Sequence, residues 1–149
     1  PTLTMRAESE TQSLQASLFR QLGTGQLNEA KNTLKSLIAD VPYSNKKLAS
    51  MDMEERYRLI ISSILNAIGF RVEVERMLAT GRIDIVAYSY GYIYVMELKL
   101  SNNGGMVAAK KQILNNKYLD PFKADKRKVI GLAIELDEKG KGLIDWDEV

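Results

Sequence analysis

The spacing of apolar residues predicts two short amphipathic helices at the start of the chain. The first 11 residues are polar and are expected to fray, and apolar residues then recur at helical spacing up to Gly23 and again up to Pro42. A Gly-containing turn joins the two segments, so we predict a helical hairpin that serves as a scaffold or as a connector between domains. The apolar positions are Leu14, Leu18, Phe19 and Leu22 in the first helix and Leu27, Ala30, Leu34, Leu37 and Ile38 in the second.

A third, longer helix is predicted over residues 51–68, after a loop at residues 43–50. Ser50 and Asp52 are both suitable N-caps, because their side-chain oxygens can accept a hydrogen bond from an otherwise unpaired N–H in the first turn. Gly69 follows the last apolar position and ends the helix.

Apolar runs after the third helix predict a mixed sheet. The strands are expected at residues 70–78, in a hairpin at 81–100, and at 129–136 and 143–146, with a helix at 106–118. The first three strands follow one another through short turns, which indicates antiparallel pairing. Because the next helix crosses over the sheet, the fourth strand should lie parallel to an earlier one. We therefore predict an α/β domain with helices packed on a mixed central sheet.

Three charged residues interrupt the apolar hairpin. Asp84, Glu97 and Lys99 occur where their neighbours indicate a buried sheet, and such side chains are seldom buried unless they are paired or bind a metal. If the turn pairs Ser89 with Tyr92, the antiparallel register places Asp84 opposite Glu97 on the same face. Lys99 lies two residues after Glu97 and shares that face. The prediction requires a turn of even length, because a shift of one residue would move Asp84 to the other face.

The absence of cysteine and histidine narrows the chemistry that the chain can perform. It excludes disulfides, zinc fingers and nucleophiles or bases that depend on Cys or His, which leaves carboxylates, Lys, Tyr, hydroxyls or a hard metal. A formal net charge of +2 is too small to indicate a nucleic-acid partner by itself. No apolar run approaches the roughly 20 residues of a membrane span and no signal peptide is visible, so we expect a cytoplasmic protein. The chain begins at Pro1 without an initiator Met, and we expect it to be a fragment of a longer protein.

Asp84 and Glu97 offer the oxygen ligands that Mg²⁺ or Mn²⁺ prefers, and the Leu98 carbonyl is a third candidate ligand. The metal would polarise a scissile phosphate, while Lys99 would orient water or neutralise the developing charge. Glu54 lies close to the apolar stripe of the third helix and is therefore the acidic residue of that helix that points inward. Two alternatives stay open: a structural ion-pair cluster in the hairpin, and a helix-start carboxylate at the rim for Glu54.

The order of motifs and elements resembles that of the PD-(D/E)xK nuclease superfamily. The matching motifs are Gly81-Arg82-Ile83-Asp84, Glu97-Leu98-Lys99 and, on the following helix, Gln112-Ile113 and Lys117-Tyr118. Ile83 stands where the superfamily name places Pro, which is a common variation. The resemblance implies a restriction-endonuclease-like core of a helix, three antiparallel strands, a helix and a strand, over about residues 43–146. More narrowly, the chain resembles the nuclease-like C-terminal domain of bacterial proteins that carry an AAA-ATPase-like domain in front of it.

The resemblance implies a role for each matched residue. Asp84 and Glu97 would be metal ligands, and Lys99 would be the catalytic lysine. Glu54 would be an accessory acidic residue, and Gln112 would approach the site from the helix that follows the hairpin. The alternative for Gln112 is a solvated position on that helix.

The helix that carries Gln112 has two further features. Gln112 and Tyr118 are six residues apart, so they lie on different helical faces unless the helix ends between them. Lysines are concentrated in and around this helix and would bind a phosphate backbone, or would form an ordinary solvated face: Lys110, Lys111 and Lys117. Four tyrosines of the hairpin are strand formers that are also able to stack on bases: Tyr88, Tyr90, Tyr92 and Tyr94.

Taken together, the sequence predicts a helical connector at residues 1–42 and a nuclease-like domain at residues 43–149. The expected function is Mg²⁺-dependent or Mn²⁺-dependent hydrolysis of phosphodiester bonds, with DNA as the expected substrate. The alternative is a non-catalytic module that binds DNA or docks an ATPase domain. The resemblance implies an ATPase-like domain of the same polypeptide as a partner, no membrane partner is expected, and a homo-oligomer stays open.

Overall fold

The computed structural model of the chain describes residues 2–41 and 49–149, with side chains described from residue 8 onward. Most of the predicted loop at residues 43–50 lies outside the described residues. The helices are α1 (Thr2–Gly23), α2 (Leu27–Ala39), α3 (Met53–Ala67) and α4 (Gly105–Asn115), with a 3₁₀ turn at Asp120–Phe122. The strands are β1 (Arg71–Leu78), β2 (Gly81–Tyr88), β3 (Tyr92–Leu100), β4 (Lys128–Leu136) and β5 (Leu143–Glu148). In the described part of the chain, no helix is both long and apolar enough to cross a membrane.

The predicted helical hairpin is present, but α1 begins earlier than the apolar pattern indicates. The helix runs from Thr2, whereas the first 11 residues were expected to fray. Polar residues can extend a helix that apolar packing has already nucleated, since each added residue gains a backbone hydrogen bond.

The five strands form one sheet in the order β1-β2-β3-β4-β5, and β3 and β4 are parallel while the other neighbours are antiparallel. This confirms the predicted mixed sheet and α/β class. The crossover through α4 explains the parallel pair. Residues from α1, α2 and α3 bury apolar side chains with one set of strand residues, and those of α4 pack with another set. Strand β4 is apolar because it has a neighbouring strand on each edge and residues in both hydrophobic clusters.

The predicted register of the β2–β3 hairpin is confirmed. Ser89 N–H donates to the Tyr92 carbonyl at 2.8 Å, and the paired positions continue to Ile85 and Met96. The next position in this register places Asp84 opposite Glu97. The ladder pairs themselves end at Ile85 and Met96, and beyond them the Leu98 N–H donates to the Asp84 carboxylate.

Helix α4 ends at Asn115, three residues before the predicted end at Tyr118. Lys117 takes a positive φ of 54°, and its N–H donates to the Leu114 carbonyl while Tyr118 N–H donates to the Ile113 carbonyl. This pair of bonds is a Schellman motif, which usually has Gly at the position that Lys117 takes here. The missing Gly is the reason that the sequence pattern continues past the true end of the helix.

Candidate active site

A cavity of about 240 Å³ lies where β2 and β3 meet α3, α4 and the segment after α4. This volume accommodates a metal ion with several waters, each of which occupies about 30 Å³. The cavity brings together the residues that the sequence predicted for the site, together with several that it did not. Its lining residues are Glu54, Gly81, Arg82, Asp84, Glu97, Leu98, Lys99, Gln112, Asn116 and Tyr118.

Asp84 is held in place by the neighbouring strand. Its side chain is buried, with the residue 8% exposed, and its Oδ2 accepts a hydrogen bond from Leu98 N–H at 2.9 Å. The Leu98 N–H therefore bonds to a carboxylate where an antiparallel ladder would offer it a carbonyl of β2. The carboxylate of Asp84 is thus anchored on β3, directly beside Glu97.

Glu97 is buried more deeply, with the residue 2% exposed, and its Oε2 has no hydrogen-bond partner among the described residues. Burial raises the pKa of Glu97 well above its usual range, and the neighbouring Asp84 carboxyl raises this pKa further. The positive charge of Lys99 acts in the opposite direction. A buried carboxyl group with an unpaired oxygen is costly, so this position calls for a proton or a cation.

Glu54 enters the cavity from the first turn of α3. Asp52 is the N-cap of this helix and accepts a hydrogen bond from Glu55 N–H at 2.9 Å, as the sequence predicts for one of its two candidate caps. Glu54 lines the cavity, and its Oε1 is buried without a hydrogen-bond partner in the described part of the chain, whereas Glu55 is exposed. The predicted inward orientation of Glu54 is confirmed. Its role as an accessory residue stays a prediction.

The donor atoms of the cavity fit a hard divalent cation. Asp84 and Glu97 lie side by side and offer only oxygen, and the unpaired Oε2 of Glu97 is the kind of atom that a metal would satisfy. Across residues 2–41 and 49–149, no group of three or more His, Cys, Asp or Glu side chains is placed to hold a metal ion. A metal in this cavity would therefore be held by the two hairpin carboxylates, completed by the Leu98 carbonyl or by waters.

Lys99 lines the same cavity and is half-buried. Its Nζ forms no ion pair within the described residues, although its charge acts on Glu97. The ammonium group is thus available to a substrate phosphate or a water.

The Tyr118 hydroxyl connects α4 and the segment after it to the start of β2. Its hydroxyl oxygen is 3.1 Å from Gln112 Nε2, 3.2 Å from Asn116 Nδ2 and 3.2 Å from the Arg82 backbone nitrogen, all of which donate to it. A spacing of six residues would place Gln112 and Tyr118 on different faces of one continuous helix. Because α4 ends between them, their side chains meet. Asn116 is a lining residue that the sequence analysis missed, and its position after the end of the helix left no periodic signal.

Gly81 explains why β2 approaches Tyr118 so closely. A Cβ atom at Gly81 would lie 2.8 Å from the Tyr118 hydroxyl oxygen and 3.1 Å from Asn116 Nδ2. Such distances are too short for a side chain, so the close contact requires glycine.

Arg58 of α3 is a second residue that the sequence analysis missed. Its Nη1 lies 3.8 Å from Asp84 Oδ1 and its Nη2 lies 2.6 Å from Glu75 Oε1. The signal that could have found it is helical spacing, since Arg58 follows Glu54 by four residues and so lies on the same face.

The predicted nucleic-acid-binding lysines differ in their surroundings. Lys110 forms an ion pair with Asp147 of β5, whereas Lys111 and Lys117 are exposed and form no ion pair within the described residues. Among the hairpin tyrosines, Tyr94 is fully buried and its hydroxyl donates to the Leu22 carbonyl at 2.5 Å. Tyr90 is fully exposed at the hairpin turn, remote from the cavity along β2.

Comparison with known proteins gives a family match. The model of the PD-(D/E)XK nuclease superfamily matches residues 52–146, which extend from the N-cap of α3 into β5 and include every residue that lines the cavity. No curated protein and no solved structure matches the chain. Because the family match extends over more than half of the 149 residues, the chain belongs to the PD-(D/E)XK nuclease superfamily.

Proposed function

We propose that this chain hydrolyses phosphodiester bonds in DNA with Mg²⁺ or Mn²⁺ held by Asp84 and Glu97. The observation that carries the proposal is one cavity shared by these two carboxylates and Lys99, in which Glu97 Oε2 is buried without a partner. The family match supports the nuclease chemistry, because it includes all three residues.

Each residue of the cavity has a separate role in the reaction, set by its charge and position. A divalent ion bound by the two carboxylates would polarise the scissile phosphate and activate a water. Lys99 orients that water or neutralises charge that develops on the phosphate. Glu54 adds a third carboxylate to the cavity lining, and Gln112, whose Nε2 donates to the Tyr118 hydroxyl, lines the cavity from α4. The water oxygen bonds to phosphorus as the ester bond breaks, which leaves a phosphate monoester and a hydroxyl group.

The proposal is tested by cleavage of plasmid and single-stranded DNA in Mg²⁺ or Mn²⁺. We expect Asp84→Asn and Lys99→Ala each to lower the cleavage rate at least about 100-fold, since each removes a group that acts on the reacting atoms. Matched controls are Asp40→Asn at the end of α2 and Lys141→Ala in the turn between β4 and β5, both exposed. Cleavage that persists in both site variants would contradict the mechanism.

A second candidate function is a non-catalytic module that binds DNA or docks another domain. The observation that favours it is that Asp84 already has two partners, the Leu98 N–H and the Arg58 guanidinium. Calorimetric titration with Mn²⁺ separates the candidates. A module of this kind shows no Mn²⁺ binding that depends on Glu97, whereas a nuclease loses its binding in Glu97→Gln.

We infer a helical connector at residues 1–42 before a nuclease-like domain at residues 43–149, with an ATPase-like domain of the same polypeptide as the partner. The fixed position of α1 supports a connector, because the Leu22 carbonyl at its end accepts a hydrogen bond from Tyr94 of the sheet. A protein that carries both domains and cleaves DNA faster than this chain would support the partnership. Equal rates would contradict it.

A further inference from the structure

Asp84 has a cationic neighbour in α3, Arg58. The Arg58 side chain is 14% exposed, and its Nη1 lies 3.8 Å from Asp84 Oδ1, within ion-pair range but longer than a hydrogen bond. Arg58 is not among the described residues that line the cavity. Arg58 is therefore a neighbour of the proposed metal ligand Asp84, and it is not part of the cavity lining.

Glu75 holds this guanidinium at a break in β1. Arg58 Nη2 lies 2.6 Å from Glu75 Oε1, much closer than Nη1 lies to Asp84. Glu75 has a φ of 52°, which is uncommon for a residue other than glycine, and it is missing from the ladder between the pairs Val74–Ile85 and Arg76–Ile83. The same register places Glu75 opposite Asp84. Two carboxylates on neighbouring strands therefore share Arg58, and Glu75 Oε1 also lies 3.9 Å from Arg82 Nη1.

We propose that Arg58 and Glu75 form a charge balance that sets the affinity of Asp84 for a metal ion. Arg58 is a positioning residue that attracts the Asp84 carboxylate in competition with the metal. Glu75 draws the guanidinium toward β1 and limits that competition. The inference rests on the proposed function, since it concerns the metal that Asp84 and Glu97 would hold.

Arg58 and Glu75 carry opposite charges and should therefore have opposite effects on the affinity for the metal ion. Removing Arg58 removes a positive charge near the bound divalent ion, so the metal should bind more tightly. Removing the charge of Glu75 frees the guanidinium to approach Asp84, so the metal should bind more weakly. Because the site is partly buried, charges a few ångströms apart act strongly, and we expect changes of about tenfold in each direction.

The experiment measures the dissociation constant of Mn²⁺ by electron paramagnetic resonance and by calorimetry, without DNA. We expect Arg58→Met to tighten Mn²⁺ binding about tenfold and Glu75→Gln to weaken it about tenfold relative to the wild type. Arg58→Lys keeps the positive charge and should therefore bind Mn²⁺ more weakly than Arg58→Met. In Arg58→Met/Glu75→Gln the weakening should be smaller than in Glu75→Gln alone, because the part that acts through Arg58 is lost. The part that remains reflects the charge of Glu75 itself and its contact with Arg82. Exposed controls are Arg20→Met in α1 and Glu55→Gln in α3.

The opposite directions of the two changes in Mn²⁺ affinity distinguish a charge balance from a purely structural ion pair. A structural ion pair would make both variants bind Mn²⁺ more weakly in parallel with a loss of thermal stability, and that result would overturn the inference. Wild-type binding that depends on Glu97 but does not change in Arg58→Met and Glu75→Gln would also overturn it while leaving the proposed function intact. No Mn²⁺ binding in any variant would overturn both.

Discussion

At the scale of single residues, Glu97 is a carboxyl group that the fold holds in an environment favouring its neutral form. Its pKa is raised from an ordinary value of 4.5, first by burial and then by Asp84. Because the folded state keeps this proton to higher pH than the unfolded chain does, the folded state binds more protons above about pH 4.5. Stability should therefore fall as pH rises.

We predict that the free energy of unfolding of the metal-free protein decreases between about pH 5 and pH 9, by at most about 1.4 kcal/mol per pH unit from this group. Denaturant titrations in EDTA across this range measure the slope. In Glu97→Gln the slope should become flatter, because the amide does not titrate. The same slope in the wild type and in Glu97→Gln would mean that Glu97 ionises as freely in the folded chain as in the unfolded one.

The hairpin residues could be found from the sequence because their relation is local. Asp84 and Glu97 belong to adjacent strands, and the pleat and an even turn are sufficient to place them face to face. Helical spacing places Arg58 on the same face as Glu54, but it does not identify the partner of Arg58. Its contact with Asp84 depends on how α3 packs against β2 and on the break at Glu75, and neither follows from periodicity.

At the scale of elements, the site depends on the close approach of the start of β2 to the end of α4. Gly81 allows this approach, since a Cβ there would lie 2.8 Å from the hydroxyl oxygen of the buried Tyr118. We predict that Gly81→Ala lowers the free energy of unfolding by about 1–3 kcal/mol, because Tyr118 or the strand must move. It should also slow DNA cleavage, since Gln112 is fixed by the same hydroxyl.

Gly91→Ala is the control for the addition of a Cβ, because a Cβ at Gly91 would have no atom within 4 Å. Gly81 in addition has a φ of 154°, which strains an alanine and adds to the loss of stability there. The free energy of unfolding of Gly91→Ala should stay within about 0.5 kcal/mol of the wild type. Chemical denaturation compares the two variants. Equal effects would show that the contact between Gly81 and Tyr118 can relax without cost.

The same region shows where sequence patterns stop being informative. The apolar spacing predicts the existence of α4 and its place after the hairpin, and the structure confirms both. The helix end depends on Lys117 in a left-handed conformation, which a sequence pattern does not reveal when glycine is absent. The meeting of Gln112, Asn116 and Tyr118 follows from that end, so it could not be predicted either.

At the scale of the whole molecule, a net charge of +2 leaves DNA binding to the placement of individual lysines. Lys111 and Lys117 are exposed without an ion pair among the described residues, whereas Lys110 is paired with Asp147. An ion-paired lysine must give up its partner to bind a phosphate. The unpaired lysines should therefore contribute more to binding.

We predict that Lys111→Ala and Lys117→Ala each reduce the slope of log K against log salt by about 0.9 for duplex DNA, as expected for one lost phosphate contact. Lys110→Ala should change the slope less. Fluorescence anisotropy of a short duplex in EDTA, at several salt concentrations, measures these slopes without cleavage, and Lys141→Ala serves as the control. A larger effect of Lys110 than of Lys111 would contradict the ion-pair argument.

The break in β1 at Glu75 has a second consequence, for association between molecules. Within the described chain β1 is an edge strand of the sheet, and an edge strand offers unpaired backbone groups to the edge of another sheet. A residue with φ of 52° interrupts the extended backbone, and exposed charges at Arg71 and Glu75 oppose close approach of a second strand. The irregularity at Glu75 should therefore disfavour pairing of this edge with a strand of another molecule.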